Sequence, residues 1–193
     1  YSFLSAEDKN FFSHPGIDAK SITRAIIKNL KNIYSNKRLE GASTITQQVA
    51  KNFLLTSEVS IKRKIKEAIL AFRIERAYSK ERIMELYLNQ IYLGEGTYGI
   101  AAASLEYFDK AVNELNYEEA ALLAALPKAP SKYNPYKSVE RAKTRRNIVL
   151  KNLYDNSYIN EAQYKDFKNK EVKTKKRKIK LLEEANFYSE EVR

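Results

Sequence analysis

The chain has 193 residues, enough for one domain or a domain with a small appended lobe, and 44% of them are hydrophobic, enough for a real core. Five Gly and four Pro leave few turns, which favours helices, and the absence of Cys excludes disulfides and thiolate metal sites without selecting a compartment. Thirty-five Lys and Arg against 24 Asp and Glu give a net charge of +11, which favours an anionic partner: nucleic acid, a phosphate-bearing substrate or an acidic membrane.

In chain order, residues Asp18 to Tyr34 read as a helix capped by Asp18, with Ile22, Ala25, Ile26, Leu30 and Ile33 on one face. Ser35, Asn36, Lys37, Arg38 and Gly41 break that pattern, and residues 35–43 are expected to form a loop that orders on substrate binding. A short helix follows from about Thr44 to Leu54. Another runs from about Glu58 to Tyr78, with Ile61, Ile65, Ala68, Ile69 and Phe72 expected to point inward. Ser79 caps the next helix, whose apolar stripe is Ile83, Leu86, Tyr87 and Ile91. Gly94, Gly96 and Gly99 mark a turn before an Ala-rich helix from about Ile100. A strongly apolar helix over residues 117–126 is stopped by Pro127 and Pro130, and two more helices cover roughly 138–154 and 159–169. No useful length alternates as a strand does, so the core is expected to be all-helical. From Glu171 the chain becomes basic, with seven basic residues among the eleven from Lys170 to Lys180. Residues 1–170 are therefore assigned to the domain and 171–193 to a basic linker, with contact to a membrane surface as its sharper alternative. No signal peptide or transmembrane segment is legible. A chain that starts at Tyr1 is expected to be an excised domain whose membrane anchor lies upstream.

Three clusters carry candidate chemistry, each with an ordinary structural alternative. Glu7 and Asp8 precede a Phe-Phe pair in EDKNFFSHPG; a carboxylate near apolar rings has its charged form disfavoured, which raises its basicity. Decoration of a helix start is the plainer reading, and His14, the one histidine, suits a hydrogen-bonded turn. In GASTITQQVAK, Thr44, Gln48 and Lys51 fall at i, i+4 and i+7, a hydroxyl, amide and ammonium on one face suited to a sugar or phosphate. The helix N-terminus there adds free N–H groups and a dipole that favour an anion. An ordinary polar helix face is the alternative. In KRKIKEAI, four of the five residues from Lys62 to Lys66 are basic, and Glu67 stands four after Arg63 and three after Lys64. Exposed helix pairs explain this at roughly 0.2–0.5 kcal/mol each; a cation cluster for a diphosphate, oriented by Glu67, is the functional reading.

Together these residues resemble family 51 glycosyltransferases, the peptidoglycan polymerase module of class A penicillin-binding proteins and monofunctional transglycosylases. The family's EDxxFxxHxG is matched at Glu7, Asp8, Phe11, His14 and Gly16, its GxSTITQQ at Gly41 to Gln48, and its RKxxE at Arg63, Lys64 and Glu67. Its KxxIxExYLN is matched at Lys80, Ile83, Glu85, Tyr87, Leu88 and Asn89, and its fifth block by ALLAALPKAPSKYNP, Ala121 to Pro135. The ending NFYSEEVR is similar to the segment that leads into the transpeptidase domain of bifunctional members.

The resemblance implies a mainly helical fold with a lysozyme-like large lobe and a small membrane-facing lobe. It implies a lipid II polymerase on the extracytoplasmic face of the bacterial cytoplasmic membrane, making β-1,4 glycan with inversion and releasing undecaprenyl pyrophosphate. The implied catalytic residues are Glu7, as general base, and Glu67. Asp8, Ser43, Thr44, Gln48, Lys51, Arg63, Lys64 and Asn89 are the implied substrate-binding set, with Asp8 also suited to supporting Glu7, and Asn89 and Glu85 to holding the architecture. No metal ligands and no required cofactor are implied, with room for Mg or Mn at the diphosphate. The implied partners are lipid II, the lipid-linked glycan, the membrane surface and a C-terminal transpeptidase domain, and not nucleic acid. Phe53, Leu54, Leu55, Val59 and Ile61 are the candidates for membrane contact, with core packing as their alternative. Rival readings are a lysozyme-like glycoside hydrolase, a basic nucleic-acid-binding helical module, and an inactive scaffold.

Overall fold

A computed structural model of the chain describes residues 1–34, 41–54 and 60–175, and for 31–34 the backbone alone. The loop at 35–43 is therefore described only from Gly41 onward. Leu55, Val59, the Ile33 side chain and the 176–193 segment with its NFYSEEVR ending lie outside the described residues.

The architecture is mainly helical, as the sparse Gly and Pro imply. In order come α1 (Ser2–Glu7), a 3₁₀ turn at Phe11–Ser13, α2 (Ala19–Tyr34), α3 (Ile45–Phe53), α4 (Ile61–Ala77) and α5 (Lys80–Gln90). After a short hairpin of β1 (Tyr92–Gly94) and β2 (Thr97–Tyr98) follow α6 (Ile100–Phe108), α7 (Tyr117–Ala125), α8 (Pro130–Tyr133), α9 (Val139–Asp155) and α10 (Glu161–Asn169). Polar caps start these helices because the first N–H groups of a helix lack internal partners. Ser60, Ser79 and Ser138 accept from the N3 backbone of α4, α5 and α9, and Thr44, Asn116 and Asn160 form full capping boxes on α3, α7 and α10. Pro130 does not stop a helix but opens α8, where its missing N–H costs nothing.

The core is built on α7. Ala121, Leu122, Leu123, Ala124, Ala125 and Leu126 are all buried, so this helix is enclosed on nearly every side, by α1, α6, α9 and α10. The antiparallel pair β1–β2, unannounced by any alternation, returns the chain from α5 to α6. Gly94 at φ +92° and Gly99 at φ +83° are required there: a Cβ on Gly99 would lie 2.7 Å from the Asn89 carbonyl oxygen, and one on Gly94 2.7 Å from Tyr107 Oη.

Two helices keep apolar faces exposed, α4 against expectation. On α4 the inward line is Glu67, Ala71 and Ile74, while Ile61, Ile65, Ile69 and Phe72 are exposed, Ile61 by 82%. The loop at Gly16 decides this, since a Cβ there would already sit 3.1 Å from the Ala71 backbone. Close approach at Ala71 seats α4 on its small-residue line and leaves its isoleucines outside. On α2, Ala25 is buried and Ile22 half-buried, but Ile26, Ile27 and Leu30 are exposed. The expected inward face of α4 and the apolar face of α2 are therefore largely exposed, and with exposed Phe53 and half-buried Leu54 these helices carry more apolar surface than a free surface needs.

Residues 168–175 remain bonded to the helices before them. Lys168 and Lys170 offer their carbonyls to Arg146, and the Lys175 N–H donates to the Tyr107 carbonyl at 2.9 Å.

Candidate active site

Glu7 is the last residue of α1 and Asp8 its C-cap. These adjacent carboxylates have different surroundings. Asp8 is buried, and both its oxygens lie 3.0 Å from His14 Nε2. The Gly16 N–H donates to His14 Nδ1 at 3.2 Å, which puts the ring proton on Nε2, facing Asp8. Asp8 Oδ2 also accepts from the N–H of Ile45, the first residue of α3, at 3.0 Å. The anion that the α3 N-terminus attracts is thus an internal carboxylate, which leaves Asp8 bracing the site from inside the fold. Thr44 is buried alike: its hydroxyl accepts from Gln47 N–H and donates to the Gly16 carbonyl at 2.6 Å.

Glu7 is held more loosely. Its Oε2 accepts one bond from Gln48 Nε2, one turn into α3, at 3.0 Å. Burial raises its pKa above the ordinary carboxylate value; the Gln48 bond and the positive charges of Arg145 and Lys128 pull it down, and Asp8 pushes it up. The net direction is upward, toward a more basic carboxylate. Tyr87 stands by the same two acids with a buried hydroxyl lacking a hydrogen-bond partner, and burial first, then Glu7 and Asp8, push its pKa well up. Its phenol stays protonated.

The second half of the site lies on α4. Glu67 is 2% exposed, within 3.2 Å of Arg63 Nε and 2.8 Å of Lys64 Nζ. Lys64 Nζ also donates to Ser43 Oγ at 2.8 Å, which ties the approach to α3 to the cation cluster. Glu67 is thus a clamp whose negative charge fixes one planar and one point cation side by side. A further brace joins the halves: Lys80 Nζ donates to the His14 carbonyl at 2.6 Å and to Glu75 at 2.7 Å, and Glu75 accepts from Thr46 Oγ1 at 2.5 Å.

The structure therefore brings Glu7 to Gln48, and Ser43 to Lys64, Glu67 and Arg63. Lys51 is exposed in the last turn of α3. Asn89 is exposed near the end of α5, with its backbone against Gly99. Sequence reasoning did not single out Lys128, which follows α7, or Arg145 on α9. Lys128 stood inside the fifth motif block, where its charge among apolar and Pro residues was the available signal. Arg145 sits in a helical pattern that reads as an ordinary amphipathic face.

A half-buried carboxylate of raised basicity and a pair of cations held by a buried carboxylate stand on one helical scaffold. Residues 1–154 match the family model described as Transglycosylase. The chain is 50% identical over 192 residues to Penicillin-binding protein 1A of Rickettsia prowazekii (strain Madrid E), covering 100% of this chain and 24% of that protein. It is 54% identical over 175 residues to Penicillin-binding protein 1A of Aquifex aeolicus (strain VF5), covering 91% and 24%. A crystal structure of Penicillin-Binding Protein 1A from Haemophilus influenzae is 33% identical, with a TM-score of 0.48, over 76% of this chain and 20% of that one. The chain thus spans about a quarter of the length of the relatives it matches. It belongs to the transglycosylase family.

Proposed function

We propose that the chain polymerises lipid II, with Glu7 as general base. The observation that carries this is the half-buried Glu7 carboxylate, raised in basicity, holding one hydrogen bond from Gln48 and acted on by the positive charges of Arg145 and Lys128. Glu7 takes the proton from the 4-hydroxyl of the acceptor N-acetylglucosamine. That oxygen forms a bond to the anomeric carbon of the donor N-acetylmuramic acid, and the bond to the lipid pyrophosphate breaks with inversion. General-base catalysis contributes roughly 10²–10⁴-fold. The leaving diphosphate carries the developing negative charge, so preorganised cations supply the other large share. Arg63 and Lys64, fixed by Glu67, are placed for it, with Lys51 exposed on α3 and Lys128 exposed after α7 as further cations. Ser43 and Gln48 are half-buried and suit substrate contact. Asp8 and Thr44 support them from beneath, and Asn89 supports the hairpin turn.

The acids beside this position do not fit a resident metal. Asp8 is engaged by His14 and Ile45 N–H, and Glu67 by two cations. Mg or Mn, where it takes part, arrives on the diphosphate, and no step here depends on it. The same engagement disfavours the hydrolase reading, which needs a second free carboxyl across the bond.

The exposed apolar side chains Ile26, Ile27, Leu30, Phe53, Ile61, Ile65 and Ile69, flanked by Lys20, Arg24, Lys28 and Lys62, suit the interface of an anionic membrane, where the lipid tails of substrate remain. Among the described residues no helix is long and apolar enough to cross a membrane. We place the domain on the extracytoplasmic face of the bacterial cytoplasmic membrane, in a longer chain with a C-terminal transpeptidase domain. The test is polymerisation of labelled lipid II in detergent by the chain and by Glu7→Gln. Polymer from the first, reduced about a hundredfold or more in the second, is expected. Full activity of Glu7→Gln removes Glu7 as the base.

A further inference from the structure

After α10 ends at Asn169, Lys170, at φ −62° and ψ 142°, turns the backbone into the extended region. From Glu171 to Lys175 no helix or strand forms, and exposure alternates: Glu171, Lys173 and Lys175 are exposed, Val172 and Thr174 half-buried. That is the period of an extended chain with one face against the protein. The segment is tied at both ends. Arg146, 1% exposed, donates to the carbonyls of Lys168 at 3.1 Å and Lys170 at 2.9 Å, and Lys170 pairs with Glu118 of α7 at 3.0 Å. At the far end the Lys175 N–H donates to the Tyr107 carbonyl at 2.9 Å, and its ammonium pairs with Asp109 at 2.9 Å. Between these ties the backbone N–H and carbonyl groups of Glu171, Val172, Lys173 and Thr174 take part in no hydrogen bond among the described residues.

Beside this unpaired stretch, α7 and α9 leave a cavity of about 470 Å³. Phe108, Leu122 and Val172 give it apolar walls, and Glu118 and Arg146 charged ones. Glu118 is 9% exposed; Lys170 pairs with one of its oxygens, and the other, Oε2, has no hydrogen-bond partner. A buried acceptor without a donor is costly, so a donor brought into this cavity is favoured. The charge along the segment is one-sided. Four of the eight residues from Lys168 to Lys175 are lysine and one is glutamate, and Lys173 forms no ion pair among the described residues.

We infer that residues 171–174 are a docking edge for an extended acidic peptide, which adds a strand here and sets an apolar side chain into the cavity. The peptide backbone bonds to the free N–H and carbonyl groups; one set of its alternate side chains meets the cavity, and the other, acidic, lies along the lysines. The apolar side chain excludes water from the cavity and so strengthens the polar contacts beside it. A second copy of this segment is a poor occupant, because its lysines would face lysines. A bilayer offers negative charge to the lysines but no row of N–H and carbonyl groups, and leaves the edge unpaired.

The experiment titrates the isotope-labelled chain, followed by backbone amide NMR, with a blocked heptapeptide of alternating glutamate and valine. Saturable shifts at residues 169–175 and at the cavity walls are expected, with hydrogen exchange slowed at least about tenfold at alternate amides between Glu171 and Thr174. The same peptide N-methylated throughout keeps the charge and loses the donors, and binds at least about tenfold more weakly. Lys173→Glu weakens binding about three- to tenfold. Val172→Trp, which fills the cavity, weakens it by about tenfold, and amide spectra unchanged outside the segment show that both variants keep the fold. Equal binding by the methylated peptide, shifts confined to other parts of the chain, or no shift at millimolar peptide each overturn the proposal. So does a segment that responds to phosphatidylglycerol vesicles and not to the peptide.

Discussion

Replacing Glu67 by Gln removes the negative charge that lies against both Arg63 and Lys64 while keeping the shape of the side chain. The carboxylate is 2% exposed, with partners at 3.2 and 2.8 Å. Breaking a buried pair by deleting one partner costs about 3–5 kcal/mol, since the other charge is stranded. Arg63 is mostly buried, but Lys64 is half exposed and regains water, so about 2–4 kcal/mol is expected here. For a domain of this size that lowers Tm by about 5–15 °C. Urea unfolding at constant m-value measures it directly. Lipid II polymerisation by the surviving folded fraction should fall at least about tenfold, because two cations that repel each other no longer present one fixed geometry. A Glu67→Gln chain within about 0.5 kcal/mol of the original, with unchanged turnover, would refute the clamp.

Three other outcomes follow from the same structure. Burial raises the Glu7 pKa, so its contribution to stability is fully present below the unfolded value and lost as pH rises through the folded value; Glu7→Gln should therefore match or exceed the original chain in urea midpoint at neutral pH while losing activity. Burial alone would raise the Asp18 pKa, but bonds from Ser21 and Asn10 hold it at about 2 against 3.8; its contribution is present above the unfolded value and lost as pH falls through the folded one, and Asp18→Ala should flatten the acid end of the stability curve. Gly99→Ala should cost about 2–4 kcal/mol in chemical denaturation, from its positive φ and the Asn89 carbonyl, whereas Gly41→Ala, with open space around it, should stay within about 0.5 kcal/mol.

The sequence by itself determined what depends on neighbours along the chain. Caps at Thr44, Ser60, Ser79, Ser138 and Asn160 and the run of apolar residues in α7 act within a few residues, so they fixed most helices in advance. The spacing of Arg63, Lys64 and Glu67 likewise prescribed a shared helix face, and the structure closes it into a clamp. Tertiary structure decided which face each helix buries. Periodicity shows that α4 has an apolar stripe, but only the close approach of Gly16 to Ala71 turns Glu67 inward and Ile61, Ile65 and Ile69 outward. It also decided the surroundings of two adjacent carboxylates, sending Asp8 to His14 and the α3 N-terminus and leaving Glu7 half-buried with Gln48. Arg145 and Lys128 act on Glu7 electrostatically from far along the chain, and no local pattern encodes an interaction whose partners are brought together only by packing.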